Sequence, residues 1–259
     1  MPLATNGTAW STILLASLLA VPISHAASSA ASAAAISAAI ADPGRPADDR
    51  ERDSVRKPRE MLELAHVKPG QSIAELMPGG GYFTRLFSKV VGASGHIYAL
   101  VPAPAPNAPA NAPDFAAKVK ALAAEPGYSN VTVLVEPFNE LTTPTPVDLV
   151  WTSQNYHDLH NRPDLDLSKI NRAIFASLKP GGLYIVLDHA AAAGSGTEAT
   201  STLHRIDPAA VKSEVLAAGF KFLNSLDLLR DTSDDHSLKV FDPAIRGRTD
   251  QFILVFRKP

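Results

Sequence analysis

The chain has 259 residues, 46% of them hydrophobic and 19% charged, with a formal net charge of -2. It is too apolar and too weakly charged to be disordered throughout, and long enough for one large domain or two small ones. The near-neutral balance excludes a general nucleic-acid binder, which needs a basic surface to meet phosphates, and the lack of cysteine excludes disulfides, thiolate metal sites and a cysteine nucleophile.

Trp10 to Ile23 is an apolar run broken by Ser11, Thr12, Ser17 and Pro22, shorter than the roughly 20 residues that span a bilayer. Ser24-His25-Ala26 puts small residues at the two positions that a signal peptidase reads. Residues 1–26 therefore read as a secretory signal cleaved after Ala26, although Met1 to Ala9 holds no Lys or Arg; an uncleaved anchor is the rival reading. Residues 27–44 are Ala/Ser-rich through Ala41, have few large side chains to bury, and read as a disordered tether. Residues 45–259 read as one folded domain.

Pro58 suits the first turn of a helix, and Met61, Leu62, Leu64 and Ala65 give it an apolar stripe that Lys68-Pro69-Gly70 ends. A short buried strand is expected over Ser72 to Leu76, a helix over Tyr82 to Val90, and a strand over His96 to Val101. The Pro/Ala/Asn run from Val101 to Pro113 forms neither helix nor ladder. A helix from Phe115 to Ala124 follows, then strands at Val131 to Val135 and Val147 to Trp151. Ser168 caps a helix to Leu178, and Lys179-Pro180-Gly181-Gly182 stops it before a strand at Leu183 to Leu187. Asp207-Pro208 starts a helix to Ala218, and Phe220 to Leu229 and Gln251 to Phe256 close the chain as strands. Alternation of strands and helices predicts an α/β fold, a mostly parallel seven-stranded sheet with helices on both faces. Arg230 to Asp250 shows no helical period, so the last two strands are expected to pair antiparallel.

The sharpest chemical signal is Glu75-Leu-Met-Pro-Gly-Gly-Gly81 between a strand and a helix. Such a turn lies at the carboxyl edge of the sheet, where ligands bind, and its glycines leave backbone N–H groups approachable. A P-loop needs Lys-Ser/Thr where Tyr82-Phe83 stand, and the spacing does not match Gly-x-Gly-x-x-Gly. A tight turn without a ligand is the plain alternative. No Gly-x-Ser-x-Gly elbow or recognisable carboxylate pair supports a hydrolase.

With its Glu75, Gly79, Gly81 and Tyr82, the stretch Val67 to Tyr98 resembles motif I of class I S-adenosylmethionine-dependent methyltransferases. More narrowly, the chain is similar to a family of predicted methyltransferases carrying secretion signals. Arg56-Lys57-Pro58, Glu75 to Tyr82, Gln154 to His160, Leu203 to Asp207 and Arg246 to Lys258 carry that likeness. The resemblance implies a three-layer, doubly wound sheet with a reversed last strand pair. It also implies S-adenosylmethionine as cofactor and methyl transfer to a small-molecule acceptor.

Residue by residue, the resemblance implies that Glu75 faces the methionine end of the cofactor, with Pro78, Gly79, Gly80, Gly81 and Tyr82 forming the turn around it. Glu136 would meet the adenine or ribose, Phe138 would pack on the ring, and Asn155 would offer a hydrogen bond. His157 would be the base, with Asp158 to orient it and Tyr156 to contact the substrate. Two positions depart from the pattern. Met77 replaces the usual first glycine, and Ala99-Leu100-Val101-Pro102 lacks the acid that holds the ribose hydroxyls.

His157, His160, His189 and His204 in principle gather at one sheet edge, but His-x-x-His alone is no zinc motif and the others are far apart in sequence, so no metal is assigned. Asp188 reads as a structural acceptor, with Arg205 as its partner or as a substrate-carboxylate clamp; Arg246, Arg248 and Asp250 read as a solvated turn. The leading expectation is an exported, periplasmic or extracellular methyltransferase with a small-molecule partner, no nucleic acid, and no membrane contact after signal cleavage. A non-catalytic extracytoplasmic ligand-binding protein on the same scaffold is the alternative, and a metal-dependent enzyme the third.

Overall fold

The computed structural model describes residue 1, residues 22–109 and residues 111–259, and of residues 22–28 the backbone alone. Residues 2–21 of the expected export signal lie outside the described residues. The elements are α1 (Pro22–Ile40), α2 (Ala47–Glu51), α3 (Asp53–Arg56), α4 (Pro58–Leu64), β1 (Ser72–Leu76), α5 (Tyr82–Val91), β2 (His96–Pro102), α6 (Ala117–Ala123), β3 (Val131–Glu136), β4 (Val147–Ser153), α7 (Tyr156–Leu159), α8 (Leu167–Ser177), β5 (Leu178–His189), α9 (Pro208–Ala217), β6 (Lys221–Leu226) and β7 (Gln251–Arg257).

The strands form one seven-stranded sheet in the order β3-β2-β1-β4-β5-β7-β6. The pairs from β3 through β5 are parallel, and β7 runs antiparallel to both β5 and β6. The expected antiparallel end pair is present, and its reversed member enters between β5 and the edge strand β6. Period-two alternation divides the strand side chains between two cores. On β1, Ile73 packs with α4 and α5, while Ala74 and Leu76 pack on the opposite face with Phe138, Ile170 and Val211. Glu75 shares the face of Ile73, so a carboxylate points into the layer that α5 covers.

Several scaffold expectations are corrected, among them Pro102, which pairs with Glu136 at the end of β2 although the Pro/Ala/Asn run was expected to form no ladder. The expected tether is a correction: residues 22–40 are helical, and Ile36 and Ala39 lie in the core with Met61, Leu62 and Leu86. Alanine is the strongest helix former, and Ile36 and Ala39, with partly buried Ala35 and Ile40 packed beside them, give this helix an inner face that docks on the core. Buried Arg45 secures its end, donating to the Ile40 carbonyl at 2.8 Å and bridging to Asp53. The α8 cap is Asp166, whose carboxylate accepts from the Ser168 and Lys169 N–H groups. β5 begins at Leu178, so Lys179 to Gly182 continue a strand. Asp250 is buried, accepting from Arg230, His236 and the Asp231 N–H, and does not sit in a solvated turn.

Ile36→Ala is expected to cost roughly 2–4 kcal/mol, measured by urea unfolding. A loss below about 0.5 kcal/mol, the level of a surface change, would mean that α1 is not docked. Among the described residues no helix is long and apolar enough to cross a membrane.

Candidate functional site

β1 is flanked by β2 on one side and β4 on the other, so the chain order reverses beside it. That is the switch point at which open α/β sheets bind ligands. A cavity of about 750 Å³ opens there, with walls from the turn after β1, the end of β4, and the short helices α2 and α3. Its volume is within the range typical of small-molecule sites.

The turn takes its shape from left-handed residues: Met77 at φ 50°, Gly79 at φ 58° and Gly81 at φ 82°. Met77 thus holds a conformation that glycine adopts freely, so the departure from the motif changes the residue and keeps a left-handed backbone. A Cβ placed on Gly79 or Gly80 meets nothing within 4 Å, leaving an open cradle, whereas one on Gly81 would lie 2.5 Å from Leu122 Cδ1.

Glu75 is 3% exposed and accepts a 2.6 Å hydrogen bond from the Thr84 hydroxyl. Burial pushes its carboxyl up to about 7, against the Thr84 hydrogen bond and the Arg56 charge. Arg56 donates to Gln154 Oε1 at 2.6 Å and lies 4.8 Å over the Tyr82 ring, with Arg52 at 5.1 Å over the same ring. The Tyr82 hydroxyl donates to Asp53 at 2.6 Å, which fixes the ring between the cations. Asn155 donates to the Leu76 and Met77 carbonyls at 3.1 and 3.0 Å, tying β4 to the turn. Ser153 presents a buried hydroxyl oxygen with no partner on the same wall.

Of the residues expected at the cofactor, Glu75, Pro78, Gly79, Gly80, Tyr82 and Asn155 line the cavity, and Gly81 caps α5 just behind it. Two expectations are corrected. Phe138 is 1% exposed in the opposite core, filled in among Leu76, Leu100 and Tyr156, and is not free to stack on a ligand. Glu136 accepts from the Thr142 N–H at the end of β3 and is not part of the wall.

The residues expected to be catalytic are elsewhere too. The Tyr156 hydroxyl donates to Glu214 and accepts from Asn171 in the core. His157 is 2% exposed; its Nδ1 is 2.8 Å from Asp188, and its Nε2 is 3.3 Å from both Asp158 and His204. Burial works against an imidazolium, but the Asp188 and Asp158 carboxylates outweigh it and push the ring up to about 10. A protonated ring has no lone pair with which to act as base, and residues 156–158 are absent from the cavity wall. His160 pairs with Glu214, and His189 contacts Thr249. Buried Arg205 is no clamp and does not pair with Asp188: its guanidinium holds Asp234 at 2.9 Å.

Sequence reasoning missed Arg52, Ser153, Lys118 and the acids Asp48 and Glu51 as wall residues. Arg56 and Gln154 stood only in the stretches that carried the resemblance, and Arg246, expected in a solvated turn, lines the cavity instead. Nothing local marks such residues, because folding brings them to the switch point from distant segments.

No protein-family model matches the chain. It is 51% identical to a ubiquinone/menaquinone biosynthesis C-methyltransferase of Legionella pneumophila (strain Corby) over 39 residues, 15% of this chain and 16% of the other. It is 24% identical to a protein-L-isoaspartate O-methyltransferase of Ignicoccus hospitalis over 127 residues, 49% of this chain and 51% of the other. The chain thus spans about half the length of the latter relative and a sixth of the former. Among solved structures it resembles a SAM-dependent methyltransferase from Aquifex aeolicus, with TM-score 0.56 and 17% identity over 83% of this chain and 99% of that one. The expected architecture is borne out: the fold is the Rossmann-like fold of S-adenosylmethionine-dependent methyltransferases.

Proposed function

We propose that this chain is an S-adenosylmethionine-dependent methyltransferase acting on a small molecule. The observation that carries the reading is the wall at the switch point, where a buried carboxylate, an unpartnered buried hydroxyl and an open glycine cradle face one cavity. These are the donors and acceptors that an amino-acid moiety joined to a nucleoside needs. When bound, S-adenosylmethionine supplies an electrophilic methyl group on a positively charged sulfur.

Ionised Glu75 would hold the positive methionine end, and Gly79 and Gly80 would let the backbone approach it. Pro102 stands where β2 would end in an acid. Asp48 and Glu51, the other carboxylates among the described wall residues, would then receive the ribose hydroxyls. Arg52, Arg56, Lys118 and Arg246 are cations of the same wall and suit an acceptor with an anionic group. The chain's main contribution to rate is proximity and orientation.

Calorimetric titration with S-adenosylmethionine tests this. Binding is expected, and Gly80→Val is expected to weaken it by roughly tenfold or more while leaving stability unchanged. Residue 80 is not left-handed, and its side chain would enter open space. No heat and no thermal shift at millimolar ligand would sink the reading. Export through residues 1–26 belongs to the same proposal. It predicts a mature protein that begins at Ala27 and fractionates outside the cytoplasm, and an intact cytoplasmic chain would refute that part.

A further inference from the structure

We propose that His157, Asp158 and His204 form a binding site for a single divalent transition metal of the zinc class, separate from the cavity at the switch point. His157 Nε2, His204 Nδ1 and Asp158 Oδ1 stand at the corners of a triangle. The three sides are 3.3 Å (His157 to His204), 3.3 Å (His157 to Asp158) and 3.3 Å (His204 to Asp158). A tetrahedral zinc ion with ligands at about 2.0–2.1 Å separates neighbouring ligand atoms by about 3.3–3.4 Å. The triangle therefore has the size of one face of a zinc coordination tetrahedron. An octahedral magnesium at about 2.1 Å would need ligand atoms about 3.0 Å apart, and it prefers oxygen to imidazole.

The surroundings are those of a supported ligand set. Asp188, wholly buried at the end of β5, takes the Nδ1–H of His157 on one oxygen and the His157 backbone N–H on the other. This fixes the ring and aims Nε2 at the triangle, as an outer carboxylate does for metal-bound histidines. His204 is left-handed at φ 55°, a conformation costly for a non-glycine residue. Its neighbour Arg205 is buried and bound to Ala190, Leu238 and Asp234, which keeps residue 204 in place. The Phe241 ring lies 5.0 Å from the His204 ring on the outer side.

Exposure rises across the triangle, with side chains 3% exposed at His157, 23% at His204 and 36% at Asp158. The fourth position thus faces outward, the arrangement in which zinc keeps a place for water or an incoming ligand. A metal ion bound there would displace protons from its ligands, so its affinity would fall as pH falls.

The test uses the whole protein, freed of any affinity tag and treated with chelator, then titrated with zinc and with cobalt(II). One equivalent of zinc is expected to bind at micromolar concentration or tighter and to raise the thermal midpoint. Cobalt is expected to develop the intense visible bands of a tetrahedral site. Asp158→Asn and His204→Ala alter partly exposed side chains and are expected to fold, and each should weaken zinc binding by roughly 10- to 100-fold or more. Absence of zinc binding by the parent chain at millimolar ion overturns the proposal. So does binding that both folded variants retain unchanged, or a cobalt spectrum of octahedral character.

Discussion

Glu75→Gln is expected to leave the chain about 3 kcal/mol more stable at pH 8 and to weaken the proposed binding of S-adenosylmethionine by roughly 10- to 100-fold. The two effects have one cause. Burial raises the Glu75 carboxyl from its ordinary 4.5 to about 7, with the Thr84 hydrogen bond and Arg56 only partly opposing. Between those values the folded chain keeps a proton that the unfolded chain has released. The stabilisation is therefore complete below about pH 4.5 and is lost as pH rises to about 7. Glutamine can still accept from Thr84 and has no charge to bury, so its advantage grows over that window and levels off above it. Urea unfolding of both proteins at pH 5, 6, 7 and 8 measures the difference directly. Parallel pH profiles would show that Glu75 ionises as an exposed carboxylate does. The loss of affinity is read separately by calorimetry, and it tests whether the strain of a buried carboxylate serves a cationic ligand.

Arg205→Met is expected to cost about 3–5 kcal/mol, the penalty for leaving one partner of a buried ion pair unmatched. Arg205 has no exposed surface and binds Asp234 at 2.9 Å, while donating to the Leu238 and Ala190 carbonyls at 3.0 Å each. Asp234 in turn accepts from the His236 and Asp250 N–H groups. This one side chain therefore ties the segment after β5 to the long connection between β6 and β7, which lacks regular structure. Its loss should also raise amide exchange across residues 230–250. A cost below about 1 kcal/mol would place the fold's hold on that connection elsewhere, in Asp250 with Arg230 and His236.

Much of the scaffold was legible because its signals are local. β1 spans Ser72–Leu76 as the apolar run required, and α5 follows Gly81 at Tyr82 as helical spacing and the glycine turn required. α9 begins at Pro208 behind an Asp207 cap, the pattern that the Asp-Pro pair marks. Half of the candidate cavity was equally legible, since Glu75 through Tyr82 are contiguous. Errors arose where one residue type serves two ends. Phe138 and Tyr156 are aromatic residues next to strand ends, and only packing shows that both are core. The alanine-rich segment looked empty because composition counts large side chains and cannot show that Ile36 meets a waiting surface.

By itself, then, the sequence determined the chain order of the seven strands, the central glycine turn and the carboxylate beside it. Periodicity, caps and turn chemistry act over a few residues and need no partner. Tertiary structure alone decided three things: the insertion of β7 between β5 and β6, the wall that α2, α3 and Arg246 build around the cavity, and the triangle of His157, Asp158 and His204. His157 and His204 are 47 residues apart in the chain and 3.3 Å apart in space. Such a closure is set by which faces bury together, and the cost of bringing the ends together is repaid by the whole core and leaves no trace in the local sequence.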